Sequence, residues 1–396
     1  MLSIKAQRVR SIDVLRGLTI FTMVFVNELA GVADIPRWAK HLPASADGMT
    51  FVDAVFPAFL FIVGMSIPFA IQRRLEKGDS WWQLEQHILF RTLGLLVLGV
   101  FMVNAEGGYN QSLMLIPISV WSLLFYLAAI LIWKVYNTEN KAWIYTCKSL
   151  GFIILLILFF LYRGGEDGKK GMEVHWWGIL GLIGWAYFTA TCIYQLVKGS
   201  LVGLCIGVVG CVAYYVILHL PAVASSGIAG YLPGTGHATH ASLVLSGIIL
   251  STIYFGGTKG HTLAQKTGYA ILFAVVLAIA ATILRRWYPI SKIGATPPWA
   301  LYCSAIVTSL YIILYYLVDI KGKVAWTNFL QPAASNPLLT YIIPSILGWF
   351  FSWVGINIVP AFMQSGWPGA IWSLVFSLII LGIAYLLTKM KLRLQL

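Results

Sequence analysis

An imidazole, a carboxamide and two carboxylates, those of His41, Asn27, Glu28 and Asp53, fall within residues 26 to 64, inside and between two long apolar runs. Ionisable side chains are costly at membrane depth unless they face a cavity or a partner, so their presence there asks for a use. A neutral imidazole beside an amide and a carboxylate has the parts of a general base, a polariser for a carbonyl oxygen and an orienting group. Quieter readings stand next to this one. Asn27 can bond a neighbouring helix, and a lone histidine next to Lys40 and the turn-forming "PASADG" is commonly just solvated.

The elements that must position these groups are membrane spans. Hydrophobic residues make up 59% of the 396 and charged ones 10%, too few polar groups to cover a globular surface of this size. Apolar runs fall at about 17 to 34, 53 to 72, 88 to 104, 114 to 136, 143 to 162, 174 to 197, 200 to 220, 238 to 255, 268 to 284, 298 to 318, 336 to 354 and 369 to 388. Each is long enough for a helix rising about 1.5 Å per residue to cross roughly 30 Å of hydrocarbon. The fold class expected is therefore all-α, a polytopic helix bundle with 11 to 12 transmembrane helices, and no barrel-type alternation competes with it. The first run follows a basic flank, Lys5, Arg8, Arg10 and Arg16. Asn27 and Glu28 interrupt any small-residue cleavage site, so it reads as an uncleaved first helix.

Counting Lys and Arg in alternate connections sets the orientation. With the N-terminus inside, seventeen fall on the inner side, among them Lys5, Arg8 and Lys259, and eight on the outer side, with Arg16 and Arg91 inside span ends. Both termini are expected to be cytoplasmic. The net charge of +13 is then chiefly an orientation signal, with some attraction for anionic lipid or an anionic cofactor on the inner face, and nucleic acid is not expected as a partner. The longest polar connections, 35 to 52, 221 to 237 and 319 to 335, leave no room for a soluble domain. Residues 1–396 read as a single transmembrane domain with a loose division near residue 173. Cys147, Cys192, Cys205, Cys211 and Cys303 lie in apolar runs without paired spacing and read as small core residues.

Thirteen of the fourteen acids lie in residues 1 to 173, with Asp319 alone after them. Asp13, Glu28 and Asp53 stand at or inside span ends; the others read as ordinary loop acids. Asp13, Arg16 and Asn27 share one helical face, which suits either a functional stripe or an Asp13–Arg16 ion pair. Asp53 opens a span in which Pro57, Gly64 and Pro68 imply a kink and a close backbone approach, with packing the simpler reading for Gly64 and Pro68. Arg16, Arg73, Arg74 and Arg91 gather on the inner side, as phosphate binders or as lipid anchors. Arg286 and Lys292, in "RRWYPISKIGATPPW", stand on the outer side among aromatic residues that suit a sugar or an interfacial belt. His237 and His240 form an HxxH without a third ligand, so no metal site is expected, and a hydrogen-bonding role on the substrate side suits His240 better. No Walker or dinucleotide fingerprint occurs.

"RSIDVLRGLTIFTMVFVN" (10 to 27), "HLPASADGMTFVDAVFPAFLFIVGMSI" (41 to 67) and "RTLGLLVLGVFMVN" (91 to 104), with weaker blocks at "PISK" (289 to 292) and "SNPLLTYI" (335 to 342), resemble the bacterial relatives of lysosomal heparan-alpha-glucosaminide N-acetyltransferase. The specific part is residues 1–104, with 105–396 supplying the remaining helices. The resemblance implies a multi-pass protein of a bacterial inner membrane, often dimeric, that moves an acetyl group from cytosolic acetyl-CoA to an amino sugar or sugar acceptor on the outer side. It also implies catalytic roles for His41, Asn27 and Asp53. Acetyl-CoA would sit on Arg16, Arg73, Arg74 and Arg91, and the acceptor near Glu28, His240, Arg286 and Lys292. Two departures bear on the acceptor side: a slightly longer spacer from His41 to Gly48, and no tryptophan shortly after Lys292. Two other classes compete. A secondary transporter for a sugar or organic anion would use the same intramembrane polar groups and prolines, and a non-catalytic scaffold would use the basic residues to hold lipid.

Overall fold

The structure, a computed structural model, describes residues 9–256 and 261–396. Lys5, Arg8 and Lys259, three of the expected inner charges, lie outside the described residues. Among the described residues, twelve long helices stand where the apolar runs predict them: α1 (Arg10–Leu29), α2 (Phe51–Glu76), α3 (Trp81–Glu106), α4 (Ile118–Trp133), α5 (Lys141–Leu161), α6 (Gly178–Leu196), α7 (Leu201–Leu218), α8 (Thr235–Phe255), α9 (Leu263–Leu284), α10 (Pro297–Tyr315), α11 (Pro337–Val354) and α12 (Gly366–Lys389). Ten are long and apolar enough to cross a membrane by length and composition; α4 is a shorter apolar helix, and α1 carries Asp13, Arg16 and Glu28. No strand forms among the described residues. The chain is an all-helical, multi-pass bundle, as the composition requires.

By contacts the chain divides into two compact units. The first comprises the residues up to Thr19, Pro36–Thr92 and Trp185–Asn328, and the second Ile20–Ile35, Leu93–Gly184 and Phe329–Leu396.

In the first unit α8 is the enclosed helix, with 83% of its apolar window buried, and it packs on α2, α7 and α10. Glycine makes that burial possible. A Cβ on Gly64 would run into the Val244 carbonyl, and one on Gly247 into that of Phe61, so the α2 and α8 backbones touch directly. Ser251 Oγ adds a hydrogen bond to the Met65 carbonyl at 2.8 Å. The packing reading of Gly64 therefore holds. On α9 only 22% of the apolar window is buried, and the remaining side chains face outward as a lipid-exposed helix requires. Asp319, in a π-helical turn after α10, directs its carboxylate at the start of α1, where it accepts the amides of Arg10 (3.2 Å) and Ser11 (3.0 Å). The only acid of the second half thus satisfies donors that the helix itself leaves open.

In the second unit α4 packs on α5 and α11, and α11 on α12. Phe101, Trp121 and Phe125 stack with centroids 5.2 to 6.3 Å apart. Two buried asparagines pin chain segments. Asn104 pairs with the Glu173 backbone at 2.8 and 3.2 Å, and Asn336 holds the Leu392 carbonyl and the Leu394 amide at 2.9 and 3.2 Å. All five cysteines are free thiols, but Cys192 and Cys205 are exposed on helix faces and are not core residues. An apolar run does not distinguish a residue facing lipid from one facing protein.

Candidate functional site

Asp53 lies in the first turn of α2, where open backbone donors favour a carboxylate. Its Oδ2 accepts the Thr50 amide at 3.0 Å and the Leu42 amide at 3.4 Å, and its Oδ1 meets His41 Nδ1 at 2.7 Å. The Asp53 side chain is 2% exposed and that of His41 34%, so a buried carboxylate orients a ring that solutes can reach. An ionised carboxylate only accepts, so Nδ1 carries the proton and Nε2 presents its lone pair.

Proline explains the floor of this site. Pro57 has no N–H to give to the carbonyl four residues earlier, which belongs to Asp53. Trp299 fills that vacancy: its Nε1 donates to the Asp53 carbonyl at 3.1 Å from a fully buried indole. His240 is also buried, between Phe56 (5.4 Å) and Trp299 (5.9 Å), and its Nδ1 has no partner among the described residues. It backs the site through Trp299, with only 5% of its surface exposed.

The third member comes from far along the chain. Lys292 Nζ stands 3.0 Å from His41 Nε2 and 3.2 Å from Nδ1. The connection before α10 is docked onto the His41 loop to put it there. Asp47 accepts the Ile290 amide at 2.8 Å and pairs with Arg285 at 3.0 Å, and Gly48 donates to the Ile290 carbonyl at 3.0 Å. These bonds, that of the Ile290 amide above all, hold the Asp47 carboxyl below its ordinary value. Thr296 closes the turn by donating to the Pro289 carbonyl at 2.7 Å. Burial lowers the Lys292 pKa and outweighs the Asp53 carboxylate, which pulls the other way. Arg286 is exposed on the same connection.

The arginines nominated for phosphates also belong to the first unit. Arg16 pairs with Asp13 at 3.1 Å and donates to Ser66 Oγ at 2.8 Å, and Arg74 pairs with Asp79 at 2.6 Å. Arg91 lies over the Tyr187 ring, 4.6 Å from its centroid, with its buried Nε unpartnered among the described residues, and Arg73 is exposed. Asn27 and Glu28 belong to the second unit, where they line a cavity of about 400 Å³; Trp372 Nε1 donates to Glu28 Oε1 at 3.1 Å.

Sequence reasoning placed Lys292 on the acceptor side but not on the histidine, counted Trp299 among the outer aromatics where the structure buries it, and missed Asp47 and Glu106, the last of which lines the second unit's cavity. One signal was available. A proline four residues after Asp53 leaves a buried carbonyl that some distant donor has to satisfy.

Comparison with known proteins sets this geometry in context. The chain is 39% identical over 104 residues to human heparan-alpha-glucosaminide N-acetyltransferase, covering 26% of this chain and 15% of that protein. It is 27% identical over 388 residues to the mouse protein of the same name, covering 87% of this chain and 54% of the relative. At most, then, the match spans about half the length of these curated relatives. A family model described as "Domain of unknown function (DUF5009)" matches residues 8–232, which include Asn27, His41 and Asp53 and stop short of Lys292. That match takes in more than half of the chain, which belongs to the DUF5009 family.

Proposed function

We propose that this protein is a membrane-embedded acetyltransferase that moves the acetyl group of acetyl-CoA onto the amine of an amino sugar, with His41 as the general base. The observation that carries this reading is the His41–Asp53 pair at 2.7 Å, with Nε2 left as the basic nitrogen on an accessible loop. Likeness to two proteins named as N-acetyltransferases supports the reaction class. In the proposed step the acceptor amine attacks the thioester carbon. One N–H proton passes to His41 Nε2, the C–S bond breaks, and the CoA thiolate leaves and takes up a proton. Asp53 stabilises the imidazolium that forms. Arg16, Arg73, Arg74 and Arg91 are proposed to hold the phosphates of CoA, with both termini in the cytosol as the count of basic residues suggests.

The test needs no membrane compartment. Purified protein in detergent, given radiolabelled acetyl-CoA and glucosamine, is expected to release CoA and form N-acetylglucosamine. Uptake of sugar into vesicles without CoA consumption would overturn the proposal in favour of transport.

Lys292 gives this reading a pH signature. Its ammonium, which exists below its pKa, occupies the Nε2 lone pair and so competes with the acceptor's proton, and burial lowers that pKa from 10.5. Acetyl transfer should therefore rise on the alkaline side at a pH below that at which a free lysine titrates, as the base is released. Lys292→Arg stays charged and should move that limb upward. Lys292→Met should remove it and raise transfer at neutral pH about tenfold, the size expected for loss of one charge-assisted hydrogen bond. An alkaline limb unchanged in Lys292→Arg would exclude Lys292 as its source.

A further inference from the structure

The cavity of the second unit takes its polar wall from side chains that the proposed chemistry leaves unused. Its volume, about 400 Å³, lies within the range of small-molecule sites. The ends of α1 and α3, the start of α6 and the middle of α11 line it as an open cleft, at whose surface Asn27 and Glu106 are exposed, and Pro344, inside α11, lies in its wall. Its charged lining is wholly acidic, Glu28 and Glu106, in a chain where Lys and Arg outnumber Asp and Glu by 27 to 14.

Neither carboxylate is paired with a base among the described residues. Trp372 occupies one oxygen of Glu28, and Glu106 makes no hydrogen bond or ion pair with any described residue. Two carboxylates without a nearby base repel an anion such as the CoA phosphates and attract a cation. Asn27, Tyr341 and Ser345 add neutral donors and acceptors suited to hydroxyl groups, and Trp176 adds an apolar surface for the C–H face of a ring.

We propose that this cavity binds a protonated, hydroxylated amine of amino-sugar size, with Glu28 and Glu106 taking the ammonium group. The inference draws on the proposed function for the choice of ligand class, and it concerns binding, which can be measured without any reaction.

Isothermal titration of the purified full chain in detergent, at neutral pH so that acid does not discharge the carboxylates, compares glucosamine, N-acetylglucosamine and glucose. Glucosamine is expected to bind, and the two neutral sugars to bind about tenfold more weakly or worse, as befits loss of a charge-assisted contact. Glu106→Gln and Glu28→Gln, near-isosteric changes checked by an unchanged melting temperature, should each weaken glucosamine by a similar factor. Equal affinity for glucosamine and N-acetylglucosamine, no binding of any of the three, or full affinity in Glu106→Gln would overturn the assignment. The sugar comparison needs only the unmodified protein, so it decides even where a variant fails to fold. An acetyl-transfer assay run in parallel separates the two proposals. Charge-selective binding without transfer upholds the cavity and defeats the reaction, whereas transfer without charge-selective binding upholds the reaction and defeats the cavity.

Discussion

Acetyl transfer by His41→Ala is expected to fall about 10²- to 10⁴-fold, the contribution typical of a positioned general base. The loss should appear in kcat, because the ring acts on a proton that moves only as the acceptor attacks. Folding should survive: His41 sits on a loop with 34% of its side chain exposed, and its truncation costs about 1–3 kcal/mol through the hydrogen bond that the buried Asp53 carboxylate gives up. Turnover in detergent together with thermal melting checks both halves, and wild-type turnover by this variant would remove His41 from the mechanism.

Asp53→Asn should cost nearly as much by a different route. The carboxylate receives the Thr50 and Leu42 amides on one oxygen and the His41 ring on the other. A carboxamide has one accepting oxygen and one donating nitrogen. With its oxygen held by the Thr50 amide, its NH₂ faces Nδ1, which must then give up its proton to accept. The proton goes to Nε2, and the basic nitrogen is lost. A fall of about 10²-fold or more in kcat is expected, at the scale of general-base catalysis. Asp53→Ala should also lower stability by roughly 1 kcal/mol, because the Thr50 amide at the start of α2 loses the carboxylate half of its capping box. Equal rates for wild type and Asp53→Asn would show that the carboxylate does not set the ring's proton.

The twelve helices were legible because hydrocarbon thickness fixes the length of an apolar run and the chain has few charges to blur the edges. Asp53 was legible as an acid opening an apolar run, and His41 as an imidazole in the polar connection twelve residues before it, where a turn can bring the two together. Lys292 stands 251 residues beyond His41, and no local pattern announces a contact made through the Asp47–Ile290 bond. Glu106 reads in sequence as a loop acid; only the packing of the second unit turns it toward a cavity. Cys192 and Cys205 failed for the opposite reason, since lipid and protein interior select the same residue types.

Asp53 both starts α2 and aims the imidazole, so folding alone would preserve an acid at this position after chemistry had been abandoned. Among relatives, a lineage that had lost its activity would still carry the aspartate as a fossil of its architecture, while the histidine, on a loop and with a single bond to that carboxylate, would be freer to drift. A homologue keeping the first residue and replacing the second is therefore the signature to seek for a pseudoenzyme.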